Sequence, residues 1–83
     1  PDLTAERRKE LAKLAGSYCE NAKIAIRNVR RDGMEALKDD EKKKDIGEDE
    51  RKRGEDEVQK LTDKYVAQAD EAATAKEKEI LTQ

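Results

Sequence analysis

The sequence contains no histidine, tryptophan or phenylalanine, and these absences exclude whole classes of site. Without histidine, the single cysteine, Cys19, cannot join a Cys/His metal site or a Cys–His nucleophile pair, and alone it cannot form an internal disulfide. Aromatic residues are 2% of the chain, so a packed globular core is not expected. We predict no catalytic residue, no metal site and no cofactor. Cys19 lies beside Tyr18 and Ala22, and we interpret it as a small buried apolar side chain.

Proline is absent after Pro1, and long apolar runs are absent throughout. No segment approaches the ~18 consecutive apolar residues that a membrane-spanning helix needs. The start of the chain is not typical of a signal peptide, because no basic segment is followed by an apolar one. We therefore expect a cytosolic chain with no membrane partner.

Charged residues, in contrast, make up 48% of the chain, with 19 basic and 21 acidic side chains. Charges of mixed sign together with Ala and Leu at helical spacing are typical of long helices. Acid–base catalysis needs a positioned carboxylate, usually in a cleft. The acidic runs at 39–41 and 55–57 are more simply solvated helix surface. We predict that the chain is not an enzyme.

Apolar residues recur about every 3.7 positions in the first half of the chain, which predicts one helix over about residues 4–43. Thr4 is a suitable N-cap, Leu3 before it can act as a hydrophobic staple, and Gly33 lies on the stripe, where it can permit close helix approach. The stripe comprises Leu11, Ala15, Tyr18, Ala22, Ile26, Val29, Gly33 and Leu37.

A turn at about 44–47 separates this helix from a second one, predicted over about 48–81. Gly47 can begin the second helix but has no side-chain oxygen for the cap, so only half of a capping box with Glu50 can form. Its stripe comprises Gly54, Val58, Leu61, Tyr65, Ala69, Ala72, Lys76 and Ile80. The fold class is therefore all-α, an antiparallel hairpin of two long helices. Each stripe is broad enough to seat a third helix, so we expect an exposed apolar groove that drives self-association or is ordered by a partner.

Three arginines, Arg27, Arg30 and Arg31, lie within five positions in the segment 25–32, Ala-Ile-Arg-Asn-Val-Arg-Arg-Asp. At about 100° per residue, Lys23, Arg30 and Arg27 fall to one side of the stripe, and Arg31 lies nearly opposite it. Guanidinium groups match phosphate oxygens well. No aromatic residues interleave with these cations, so shape-directed contact with phosphates of folded RNA fits better than stacking on single-stranded bases.

The charge distribution supports the same interpretation but leaves an alternative open. Residues 1–31 carry a net charge of +4 and residues 32–83 a net charge of −6. One basic half can face a polyanion, or the two halves can attract each other in an antiparallel hairpin. For Arg30, nearest the core, the alternative is that its stem packs on the bundle while its charge pairs with an acidic residue of another helix.

Three blocks of sequence carry a resemblance to the ribosome recycling factor family: residues 25–32, residues 3–11 upstream and residues 59–65 downstream. The blocks occur in the family's order without gaps, and the match runs over essentially the whole chain. Family members have a bundle of three long helices and an inserted β/α/β domain. The resemblance implies that residues 1–83 are a partial three-helix-bundle domain, a fragment with the second and third bundle helices but not the N-terminal helix or the inserted domain.

The resemblance also implies a function. In the family, the bundle binds ribosomal RNA of the large ribosomal subunit, and together with elongation factor G the factor splits post-termination ribosomes. The residues that match the family's RNA-contact motif are Arg27, Arg30 and Arg31, and Lys23 extends it. Two alternatives from other classes remain: a structural coiled-coil hairpin without RNA binding, and an adaptor that recruits a partner through the exposed groove.

Overall fold

The structure is a computed structural model that describes residues 4–82. Two helices account for nearly all of this range: α1 spans Ala5–Lys42 and α2 spans Glu48–Leu81. They pack against each other as an antiparallel hairpin with overall dimensions of 63 × 15 × 13 Å. No strand occurs among residues 4–82. The prediction of an all-α hairpin is confirmed.

Both ends of α1 are stabilised by local hydrogen bonds. Thr4 caps α1, its side-chain oxygen accepting a hydrogen bond from the Arg7 N–H at 3.0 Å, whereas the staple predicted for Leu3 lies outside the described residues. At the other end, Lys44 adopts a left-handed conformation with φ of 64°. The Asp45 N–H then donates to the Asp40 carbonyl at 2.9 Å, and the Lys44 N–H donates to the Glu41 carbonyl at 3.0 Å. These two bonds form a Schellman motif that ends α1.

The start of α2 confirms the half capping box. The Gly47 N–H donates to Glu50 Oε1 at 3.4 Å, and glycine offers no side-chain oxygen in return. Acidic residues at 48–50 add negative charge at the positive end of the helix dipole. Three local features, the left-handed Lys44, the glycine N-cap and the acidic first turn, therefore make the chain reverse direction here.

Among residues 4–82, the packing of α1 against α2 does not fully bury any hydrophobic side chain. Thr62 is the single buried residue in that range, with 7% of its surface exposed, and its hydroxyl donates to the Val58 carbonyl at 2.8 Å. Thr62 does not belong to the predicted stripe of α2. Two members of that stripe, Leu61 and Tyr65, are exposed instead. The helix is therefore rotated so that part of its apolar stripe faces away from α1.

Of the two glycines that face the other helix, Gly54 has less room for a side chain than Gly33. A Cβ atom on Gly54 would lie 2.8 Å from Leu37 Cδ2, whereas one on Gly33 would meet Val58 at an ordinary 3.7 Å. Leu37 fills the space that a side chain at position 54 would occupy. The helices can therefore come together near the turn because Gly54 has no side chain.

We expect the substitutions Gly16→Ala and Gly54→Ala to have opposite effects on stability. Alanine favours helix by about 1 kcal/mol over glycine. A Cβ at Gly16 meets nothing within 4 Å, so Gly16→Ala should stabilise the hairpin by about that amount. At Gly54 the Leu37 side chain must move, and overpacking of this kind costs about 1–3 kcal/mol. Thermal unfolding followed by circular dichroism at one fixed concentration measures both variants, and equal stabilisation by the two would contradict this assignment.

Candidate nucleic-acid interface

Two cations of α1, Arg27 and Arg31, are exposed on one flank of the hairpin. Taking the half-buried Ile26 as the direction of α2, they lie about 100° and 140° around α1. Among residues 4–82, neither arginine forms an ion pair or a side-chain hydrogen bond. The N–H donors of both guanidinium groups are therefore available to an external anion.

Arg30 lies closer to the second helix. It is half-buried, and its Nη1 atom donates to Gln59 Oε1 at 3.5 Å. Gln59 in turn donates from Nε2 to Asp63 Oδ1 at 2.9 Å. The stem of Arg30 thus packs between the helices, as the alternative interpretation proposed, but its partner is a neutral amide and not a carboxylate. The positive charge of Arg30 is not cancelled by this contact.

Lys23, the fourth residue of the predicted site, is held by two carboxylates. Only 15% of its side chain is exposed, and its Nζ lies 2.9 Å from Glu20 Oε1 and 2.9 Å from Asp70 Oδ1. The hydrogen bonds to Asp70 and Glu20 raise the pKa of Lys23 above its usual range. The same bond from Lys23 lowers the pKa of Asp70, and the nearby charge of Arg27 lowers it further. Lys23 therefore lies beside the exposed arginines, but its ammonium group already pairs with Glu20 and Asp70.

Cys19 borders this ion pair. Its thiol is half-buried, not fully buried as predicted, and donates to the Ala69 carbonyl at 3.4 Å, with Asp70 Oδ1 at 3.7 Å. Desolvation raises the pKa of the Cys19 thiol, since the thiolate would lose contact with water. A raised pKa means little thiolate at neutral pH, so the expectation of a structural rather than reactive cysteine fits its surroundings.

The Lys23–Asp70 pair leads to a prediction for pH dependence. The folded-state pKa of Asp70 is depressed, so the pair stabilises the hairpin above the unfolded-state pKa of about 3.9 and is lost as pH falls through the lower folded value. Asp70→Asn should therefore lower the unfolding temperature at pH 7, and the difference from the unsubstituted chain should disappear in strong acid. Thermal unfolding of both chains between pH 2 and pH 8 measures this. A difference of the same size at both ends of that range would contradict it.

An open apolar groove runs along the other side of the hairpin. It contains two cavities of about 440 and 450 Å³, and the exposed Val29, Leu61 and Tyr65 lie at the first. The lining of the second cavity consists of Ala15, Tyr18, Cys19, Ala22, Ala69, Ala72, Ala73 and Lys76. Arg27 and Arg31 line neither cavity. Arg30 does line the first cavity, so the groove borders the flank that carries Arg27 and Arg31, but these two arginines lie outside it.

Some features of the structure were not apparent from the sequence. Arg51 lies near the turn, where its Nε contacts Glu41 Oε1 at 3.0 Å and its Nη1 pairs with Glu55. The i,i+4 spacing of Arg51 and Glu55 is visible in the sequence, but the contact with Glu41 of the other helix is not.

Within residues 4–82, no group of three metal-ligating side chains is found, and neither helix is long and apolar enough to cross a membrane.

The family model and the curated relatives that match this chain all carry the same family description. The family model described as Ribosome recycling factor matches residues 1–81. A ribosome-recycling factor of Erythrobacter litoralis is 83% identical over 83 residues, which are 100% of this chain and 45% of that relative. The ribosome-recycling factor of Novosphingobium aromaticivorans is 76% identical over 81 residues, 98% of this chain and 44% of that relative. The chain thus spans less than half the length of the curated relatives it matches. Since the family model covers nearly every residue, the chain belongs to the ribosome recycling factor family.

Proposed function

We propose that this chain is the two-helix part of a translation factor that binds the large ribosomal subunit through ribosomal RNA. In a complete recycling factor that carries these residues, it would act with elongation factor G to split post-termination ribosomes in the cytoplasm. The chain itself would be a binding component and not an enzyme. Family membership supports the general role, and the arginine flank supports the RNA contact.

The observation that carries the proposal is the pair of unpaired guanidinium groups on Arg27 and Arg31. Like charges one helical turn apart repel each other, and among residues 4–82 neither arginine forms an ion pair with a carboxylate. An RNA backbone would relieve this repulsion, because each guanidinium can donate two hydrogen bonds to phosphate oxygens. Arg30 lies at the edge of the same surface and would contribute a third cationic contact, limited by its bond to Gln59.

We propose that the groove is the seat of the third bundle helix, which lies outside residues 1–83. Its walls are almost entirely apolar, with Val29, Leu61 and Tyr65 exposed in the hairpin alone. A helix in the groove would leave Arg27 and Arg31 open, because neither lines it. In the isolated chain, we propose that a second copy covers the same apolar surface.

The test is a titration of purified large ribosomal subunits with the complete recycling factor at several salt concentrations, with bound factor measured by pelleting. RNA binding predicts that log affinity falls linearly with log salt, by about 0.7–0.9 per phosphate contact. A structural coiled coil without RNA binding would show no such dependence and no saturable binding. An adaptor that used the groove would lose its binding when the third helix is present, so retention in the complete protein separates these functions. Family membership does not favour either alternative.

A further inference from the structure

Lys23 occupies an unusual position for a residue in a cationic cluster. Its ammonium group lies between two carboxylates, that of Glu20 on its own helix and that of Asp70 on α2, at 2.9 Å from each. With 15% of the side chain exposed, the ammonium has little surface left to offer a large polyanion. Direct contact with phosphate would require one or both of these pairs to open.

Arg27 is one helical turn after Lys23, so the two side chains are neighbours on the surface of α1. Asp70 faces Lys23 from the other helix, and its Oδ1 also accepts from the Cys19 thiol at 3.7 Å. The charge of Arg27 also helps to lower the pKa of Asp70, after the larger effect of the hydrogen bond from Lys23. Arg27 is therefore the cation best placed to form an ion pair with Asp70 if the ammonium group of Lys23 is removed.

We propose that Lys23 is a positioning residue: it occupies Asp70, and thereby keeps Arg27 free to bind phosphate. This inference rests on the proposed RNA-binding function and deepens it, since it assigns Lys23 an indirect role at the site. Lys23 also pairs with Glu20, which lies on the same flank as Arg27 and would otherwise repel an approaching phosphate more strongly. The single positive charge of the lysine is thus shared between two carboxylates beside Arg27.

The proposal predicts a non-additive set of variants. Lys23→Met removes the charge and keeps an unbranched stem of similar length, so packing between the helices is retained. In this variant Asp70 pairs with Arg27, and the salt dependence of binding loses about one phosphate contact. The Lys23→Met/Arg27→Ala double variant should lose no more phosphate contacts from its salt dependence than Lys23→Met alone. Lys23→Met with Asp70→Asn should recover the unsubstituted slope, because Arg27 is free again.

The experiment is the titration of large ribosomal subunits with the complete factor, carrying each variant, at four or more salt concentrations. Circular dichroism of each variant confirms that helicity is retained. The proposal would be overturned if the slope of log affinity against log salt in the Lys23→Met/Arg27→Ala double variant fell by two phosphate contacts relative to the unsubstituted factor. That result would mean that Lys23 binds phosphate itself. An unchanged slope in Lys23→Met would also overturn it, because Lys23 would then serve the hairpin only.

Failure of the underlying function can be recognised separately. Arg27→Ala alone should lower the slope by about one contact if this flank binds RNA. If Arg27→Ala leaves both affinity and slope unchanged, the RNA-binding assignment itself is wrong. If Arg27→Ala lowers the salt slope, but adding Asp70→Asn to Lys23→Met fails to restore the slope of the unsubstituted factor, only the positioning role of Lys23 is wrong.

Discussion

Replacing Arg27 and Arg31 together with alanine in a complete recycling factor should weaken binding to the large ribosomal subunit about 100-fold. A hydrogen bond between charged groups contributes about 1.5–3 kcal/mol, and tenfold in affinity corresponds to about 1.4 kcal/mol. Each arginine should therefore account for about tenfold, and the salt slope should fall by about two contacts for the pair. Helicity should be retained, because alanine is the better helix former and both side chains are exposed.

A matched control is available on the second helix. Arg53 and Lys60 are exposed and lie about 160–180° around α2 from the buried Thr62, on the side turned away from α1. Replacing both with alanine makes the same change in net charge as the Arg27/Arg31 pair, yet should leave the slope nearly unchanged. If the two double variants lose affinity and slope equally, binding follows net charge alone, and the arginine flank has no special role.

Arg30 should behave differently from its two neighbours. Its half-buried stem and its hydrogen bond to Gln59 belong to the contact between α1 and α2. Arg30→Ala is therefore expected to reduce both RNA affinity and thermal stability, whereas Arg27→Ala and Arg31→Ala should reduce affinity alone. Unfolding temperatures measured beside the pelleting titration separate the two effects.

The second large effect is expected in the groove. Val29→Asp should abolish self-association of the isolated chain, because Val29 is 70% exposed in the hairpin and lies at the first groove cavity. A carboxylate there would lose its hydration if a second copy covered it, and an unpaired buried charge is strongly unfavourable. The hairpin itself should persist, since valine and aspartate have similar helix propensities. Sedimentation velocity at micromolar concentration measures the change from associated to monomeric chain.

Ile24 provides the control for this experiment. It is also a large exposed apolar residue, with 54% of its surface accessible, but it lines neither cavity of the groove. Ile24→Asp should leave self-association intact, so that loss at Val29 reports on the groove and not on general hydrophobicity. A compact monomer of the unsubstituted chain at the same concentration would contradict the predicted association. A peptide with the sequence of the first bundle helix of a complete recycling factor should compete with association by filling the same groove.

The helices and the turn were predictable because their causes are local. The 3.7-residue period of apolar positions, the Thr4 cap and the acidic residues after Gly47 each act within a few residues of chain. The positions of Arg27 and Arg31 on one flank also follow from α1 alone, since a helix fixes the angle between its own residues. Their freedom from ion pairs does not follow in this way, because any acidic residue of α2 could have faced them.

By itself, then, the sequence determined two long helices, one reversal of direction and a cationic flank on α1. Tertiary structure decided which part of each apolar stripe meets the other helix and which part remains as a groove. It also decided that Lys23 pairs with Asp70, 47 residues away, and that Gly54 has less room for a side chain than Gly33. The physical reason is that periodicity fixes the faces of each helix separately. The rotation and register of one helix against the other depend on how particular side chains, here Leu37, Val58 and Thr62, fit into the shared interface.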